Sequence, residues 1–269
     1  MRLPLSAWRP KIVLFMALTR DRCICLRKVE YSETSQILTL FGRGHGLMRL
    51  IAKGAHRRTK AGASKFDGGL DLMDLGEGVF SLRLEKDLAT LTEWSLRDGR
   101  LELRGDLRAL YLGQYAAELV SLLIEEHDPH PGLFDRLDQT LRELATPRRE
   151  EIFLAFQLDL FREAGYLPDL SACANCHTPF TDRMTWSFSP SRSGIVCRDC
   201  EGIAHDRMTL DPRLLSMVGL ILRLPRQNGA LQRLPRLTRH QTDPLNRVFA
   251  EHMQHTLGRR LRVAKYILQ

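Results

Sequence analysis

Six cysteines occur in this 269-residue chain, and four of them form two pairs with two residues between the partners, Cys173/Cys176 in "CANC" and Cys197/Cys200 in "CRDC". That spacing lets a tight turn aim both sulfurs at one ion, and the 20 residues from 177 to 196 form an excursion that brings the second turn back. The arrangement predicts a tetrahedral site with four thiolate ligands for one zinc ion. With no position left for water, the zinc is expected to be structural. His177, next to Cys176, is redundant once four sulfurs are present. Two redox dithiols are the alternative, but the thioredoxin-like βαβ context they need is missing. Cys23 and Cys25 share one face of a strand and read as packing residues.

The second chemical signal is charge. Residues 1–80 carry 14 Lys and Arg against 7 Asp and Glu, residues 81–206 carry 14 against 22, and residues 207–269 carry 12 against 3. The net of +8 therefore hides two basic blocks around an acidic middle. Such blocks raise the local potential and attract polyanions, although charge alone does not separate a bound phosphate from a solvated surface. No acidic residue stands between Thr34 and Phe66, where Arg43, Arg49, Lys53, Arg57, Arg58, Lys60 and Lys65 all fall. A loop such as "AKGAHRRTKAGASK" combines small residues with cations and predicts a phosphate-gripping segment without base-specific readout. Phe41 and Phe66 are the candidate stacking rings there, with core packing as their simpler role. The second block, Arg223 to Lys265, fits either DNA or an acidic peptide, because Arg forks onto carboxylates as readily as onto phosphates.

The elements that position these groups are legible in part. From Arg22 to Ser95, "CICLRKV", "TSQILTLF", "GLMRLIAKG", "GLDLMDL" and "VFSLRLE" read as strands. Turns are expected at Gly42/Gly44/Gly46, Gly68/Gly69 and Gly76/Gly78. Five strands at this spacing predict a small closed barrel. After Asp98 the apolar spacing turns helical: Asp106 caps a helix through "LRALYLGQYAAELVSLLIEE", a second covers about Leu133 to Ala145, and a third follows Pro147 and ends at Gly165. Asp211-Pro212 and Asp243-Pro244 each predict a cap and a first-turn proline opening a helix. The fold class is α+β: an N-terminal extension (1–20), a closed β-barrel (21–97) and a mainly helical domain (98–269) with the four-cysteine zinc site at about 170–203.

Phosphate-loop, HExxH, GxSxG and kinase patterns do not occur, and Glu125/Glu126 and Glu150/Glu151 read as wet helix faces, so no enzyme is expected. Charges interrupt every apolar run before membrane-spanning length. Met1 to Leu18 superficially resembles a short signal peptide, but no small-residue cleavage pattern follows and Arg20 and Arg22 come at once, so the reading is cytoplasmic. Met16 is an alternative start.

Several passages resemble one family, the recombination mediator RecO, from about Cys23 to Leu268. They are "CLRKVEYSETSQILTLFGRGHGLMRLIAKGAHR", "FREAGYLPDLSACANC", "FSPSRSGIVCRDC" and "LGRRLRVAKYIL". His56 departs from the family's AKGxRR segment, and Ser193 stands where its pattern has a glycine. The resemblance implies an OB-fold, a helical domain and a zinc finger. It also implies a non-enzymatic, nucleoid-associated protein that binds single- and double-stranded DNA and anneals strands coated by single-strand-binding protein, whose acidic C-terminal tail it recognises. With RecR such a protein promotes RecA loading; no small-molecule substrate or membrane is implied. The competing readings are a zinc-ribbon transcription regulator, which needs a recognition helix, and a zinc-dependent nuclease, which a saturated thiolate shell disfavours.

Overall fold

The computed structural model describes residues 18–54, 66–67, 69–81, 88–224 and 233–268. Its first part is a closed barrel of five strands, β1 (Leu18–Ser32), β2 (Ser35–Gly42), β3 (Gly46–Lys53), β5 (Leu75–Ser81) and β6 (Ala89–Asp98), with the two-residue β4 (Phe66–Asp67) against β6. Neighbours pair in the order β3-β2-β1-β5-β6. Parallel pairing of β3 with β6, from Leu50↔Ala89 to Ala52↔Leu91, closes the ring and leaves neither of those strands as an open edge. Cys23, Cys25, Leu38, Leu40, Met48, Leu50, Phe80, Leu91 and Trp94 fill its interior. This is the OB-like architecture expected.

Three local expectations differ. "GLDLMDL" is not a strand: the Asp74 carboxylate accepts the Asp71 N–H at 2.7 Å, the Asp71 carboxylate accepts the Leu72 N–H at 2.8 Å, and Met73 adopts φ 67°. Carboxylates that satisfy nearby backbone donors compete with a sheet ladder. Gly76 and Gly78 do not turn the chain but lie inside β5, where a Cβ on Gly76 would sit 2.3 Å from Cζ2 of Trp94. Strand β6 was not foreseen, because a register shift between Val79 and Phe80 leaves Thr92 unpaired, so that Leu91 and Trp94, three residues apart, are both buried. Leu82 and Leu84 of the expected "VFSLRLE" strand lie outside the described residues.

The second part is helical: α1 (Leu101–Arg104), α2 (Leu107–Leu123), α3 (Pro131–Glu143), α4 (Arg149–Glu163), α5 (Pro212–Arg223), α6 (Arg239–Leu257) and α7 (Ala264–Ile267), with the small sheet β7 (Trp186–Ser189), β8 (Gly194–Cys197) and β9 (Met208–Leu210) between α4 and α5. Asp106 and Asp211 cap as expected, accepting the N–H of Ala109 and of Arg213, each at 2.9 Å. Asp243-Pro244 does not open a helix. A capping box of Thr238 and Gln241 starts α6 earlier, and Pro244 lies within it. Gly258 (φ 63°) ends α6, so Arg259 to Val263 lie between α6 and α7.

Glu150 and Glu151 were expected at a wet face and are instead buried. The Arg108 guanidinium forks onto Glu150 at 2.9 and 3.0 Å and reaches Asp243 at 2.9 Å, while Arg148 donates to Glu151 at 2.9 Å. Each buried acid thus brings its own cation, tying α2, α4 and α6 together.

The barrel and the helices share a core. Along β1, Cys23 and Cys25 face the barrel interior, whereas Ile24 and Leu26 join the helical cluster with Phe41, Leu47, Phe134 and Leu137. Gly46 (φ 67°) makes the closest approach: a Cβ there would lie 2.2 Å from the carbonyl oxygen of Asp128. Asp138 on α3 anchors the junction, accepting from Arg22 at 3.5 Å, from Arg142 at 3.0 Å and from the buried Arg100.

Candidate metal centre and nucleic-acid interface

Two short turns build the metal centre. In the first, Ala172 and Pro179 bridge across the turn, His177 takes φ 60° and donates its N–H to the Cys173 carbonyl at 2.9 Å. His177 therefore serves the turn through its backbone. In the second, β8 ends on Cys197 and a 3₁₀ turn over Arg198–Ile203 carries Cys200. The antiparallel pairing of β7 with β8, Trp186 opposite Cys197, returns the second pair to the first.

The sulfurs of Cys173, Cys176, Cys197 and Cys200 all lie within 4.8 Å of one another. A tetrahedron of sulfurs about 2.3 Å from its centre has edges of about 3.8 Å, so the four fit a single ion. Cys176 and Cys197 are already 3.6 Å apart. The Thr178 hydroxyl, 3.1 Å from its sulfur, and the Thr178 N–H bring the Cys176 thiol down to about 6. Burial works to raise Cys173, but N–H groups of Cys176, Cys197 and Asn175 outweigh it and hold the thiol below its usual range. By contrast, burial and then the neighbouring Cys176 push Cys197 up to about 12. Four thiolates this close repel one another, and a divalent cation among them would offset that repulsion.

This finger is not an appendage. Trp186, Phe188, Ile195 and Val196 are buried in the main core, and Phe188 meets the His252 ring of α6 edge-on at 5.7 Å. Ser193, in place of the family's glycine, holds φ 50° and keeps the left-handed turn between β7 and β8. Among the described residues, the finger is built of short strands and 3₁₀ turns and carries no α-helix of its own.

The expected basic residues divide into three groups. Arg43 forks onto Asp135 of α3 at 2.9 and 2.7 Å and holds that carboxyl below its usual range. Arg49 and Lys53 are exposed on β3, Arg49 lying 4.0 Å from Glu126. Arg57, Arg58, Lys60 and Lys65 lie outside the described residues. Phe41 and Phe66 are both buried, Phe41 packing on Phe134 at 5.8 Å.

Sequence reasoning did not foresee a groove of about 550 Å³ where the outer face of β1–β3 meets α2 and the segment after α6. Arg27 and Arg49 line it from the barrel, with Lys28 held to Asp71 at 3.5 Å, Arg259 and Arg262 line it from the C-terminal block, and Glu118 and Glu126 are the acids on its wall. Glu118 of α2 accepts the backbone N–H groups of Arg262 and Val263 at 2.8 and 2.9 Å, fixing that segment beside the barrel. Two basic stretches more than 200 residues apart in the chain thus share one surface. The alternation of Arg27 with Val29 on β1 was the available signal for the barrel side; nothing local in the sequence announces the meeting.

Two family models cover the chain: "Recombination protein O N terminal" matches residues 16–100 and "Recombination protein O C terminal" residues 104–264. This chain belongs to the RecO family. Among curated relatives, the DNA repair protein RecO of Anaeromyxobacter dehalogenans (strain 2CP-C) is 31% identical over 91% of this chain and 93% of its own length. That of Anaeromyxobacter sp. (strain K) is 32% identical over the same shares, and that of Roseiflexus sp. (strain RS-1) 31% identical over 87% and 80%. Among the described residues, no RecO helix is long and apolar enough to cross a membrane.

Proposed function

We propose that this RecO protein is a non-enzymatic recombination mediator in DNA repair, acting in the cytoplasm at the nucleoid, that binds single- and double-stranded DNA and anneals complementary strands coated by single-strand-binding protein. The observation that carries the reading is the convergence of Arg27, Arg49, Arg259 and Arg262 on one groove beside the barrel. One phosphate backbone is bound by Lys53 together with Arg57, Arg58, Lys60 and Lys65, which follow it in the sequence, and a second occupies the groove. Arg43 joins only where a phosphate displaces Asp135. Neutralising two backbones on one surface makes strand pairing local, and base pairing supplies the free energy.

The finer roles rest on the family resemblance: recognition of the acidic tail of single-strand-binding protein, and RecA loading together with RecR. The working division is 1–20, 21–97 and 98–269, with the finger at about 170–203. Cys173, Cys176, Cys197 and Cys200 hold one structural zinc ion, which supplies cross-linking of two turns and no chemistry on DNA. A zinc-ribbon regulator is less well supported, because the finger's strands are spent on core packing.

The test is annealing of two oligonucleotides pre-coated with the cognate single-strand-binding protein, without nucleotide. Acceleration that weakens with salt is expected. Reversing Lys53, Arg57 and Arg58 to Glu should lower DNA binding and annealing together, by about tenfold or more at moderate salt. Unchanged annealing in that variant overturns the assignment.

A further inference from the structure

The outer face of β1–β3 carries three parallel rows. Arg27, Thr39 and Arg49 form the first, at the groove; Val29, Ile37 and Ile51 form the second; Ser32, Ser35 and Lys53 form the third. Same-face rows are about 6.7 Å apart along a strand. A register irregularity between Glu30 and Ser32 places Tyr31 as an extra residue at the third row. Tyr31 is 64% exposed and Val29 41%, with Ile37 and Ile51 half-buried beside them. An aromatic ring and an apolar strip therefore lie open to water between cations at both ends.

An isolated exposed Tyr needs no explanation. Here the ring stands beside a contiguous apolar row, and its hydroxyl has no hydrogen-bond partner among the described residues. On this face the cations Arg27, Arg49 and Lys53 outnumber the acids: Glu30 is turned to Gln36 at 2.8 Å, Glu33 sits at the hairpin tip, and Glu126 lies 4.0 Å from Arg49 at the groove end. A duplex hides its base faces inside the stack, so it offers this strip only phosphates and sugars. An unpaired strand offers phosphates to the cations and π-faces to the ring, and stacking of that kind tolerates any base.

We propose that Tyr31, with Val29 beside it, is a base-stacking platform that gives this surface its preference for single strands, while Arg27, Arg49 and Lys53 hold the backbone. The inference rests on the DNA-binding reading above. It assigns the ring Tyr31 to a role that Phe41 and Phe66, both buried, do not fill.

The test measures equilibrium binding of labelled oligo(dT) and of a blunt duplex to the full-length protein and to Tyr31→Ala, Tyr31→Phe and Tyr31→Trp across a salt series. Tyr31→Ala should weaken oligo(dT) binding about 5- to 100-fold and duplex binding less than twofold. The dependence of log affinity on log salt should keep its slope, because no phosphate contact is removed. Phe and Trp should restore binding, with Trp emission quenched by oligo(dT) and not by duplex. Equal losses on both DNA forms, a shallower salt slope, or unchanged oligo(dT) binding overturn the stacking role and leave DNA binding itself intact. A wild-type protein that binds no DNA overturns the DNA-binding reading instead. A Tyr31 dependence found only with an acidic peptide reassigns the face to a protein partner.

Discussion

Replacing Asp138 with Ala should unfasten the barrel from the helices. The Asp138 carboxylate is 3% exposed and receives Arg100, whose own side chain is 1% exposed, together with Arg22 at 3.5 Å and Arg142 at 3.0 Å. Without it, Arg100 keeps only Asp98, at 2.5 Å and more than one-third exposed. Breaking a buried pair from one side costs about 3–5 kcal/mol, because a charge stays in a poorly solvated site. The remaining Asp98 partner places the expected loss near 3 kcal/mol, or about two orders of magnitude in the unfolding equilibrium. Equilibrium denaturation followed by circular dichroism reads this as a lower midpoint at unchanged slope. Arg100→Met combined with Asp138→Ala should recover part of the loss, since the orphaned charge leaves with its partner, giving a coupling energy of at least about 1 kcal/mol. A single variant costing under about 1 kcal/mol, or a double variant costing the sum of the two singles, would refute the reasoning.

Gly76→Ala forces a methyl group into the Trp94 indole and should cost about 1–3 kcal/mol, seen as a lower melting temperature; an unchanged melt would mean the ring has room to retreat. Metal analysis of the purified protein should find one zinc per chain, and its removal by a chelator should expose the β7–β9 amides to hydrogen exchange while the barrel stays protected. Burial, and then His255, lower the pKa of His252 against the Tyr166 carbonyl that accepts from its Nε2 at 3.1 Å. The unfolded chain therefore binds more protons than the folded one below about pH 6.5, so stability should be level above that value and fall as the pH drops through it. His252→Gln should flatten that dependence in melts between pH 8 and 5.5, and a persisting slope would place its origin elsewhere.

Composition, turn residues and apolar period made the barrel, the capped helices α2 and α5 and the four metal-binding sulfurs legible, because each is specified by neighbours in sequence. The cysteines are the clearest instance: two residues of spacing fix two sulfurs on one turn wherever the turn sits. What escaped depended on distant partners. Glu150 looks like a surface acid until Arg108 of α2 forks onto it, and Glu151 until the Leu237 N–H, 86 residues on, donates to it. Gly76 looks like a turn until Trp94 is laid across it. The unpaired Thr92 hides β6 because it breaks the two-residue period by which strands are recognised. The groove was invisible for the same reason, being assembled from β1, β3 and a segment beyond Gly258.

Strand β1 serves two cores at once, with Cys23 and Cys25 on one side and Ile24 and Leu26 on the other. The N-terminal barrel is consequently not a portable module. A fragment ending at Asp98 would open Ile24, Leu26, Phe41 and Leu47 to water and strand Arg22 without Asp138. Transplanting or truncating the barrel should yield aggregates, whereas loop insertions on its outer rim leave the shared wall untouched. Duplication or shuffling of the gene can therefore carry this DNA-handling surface to a new protein only together with the helices behind it.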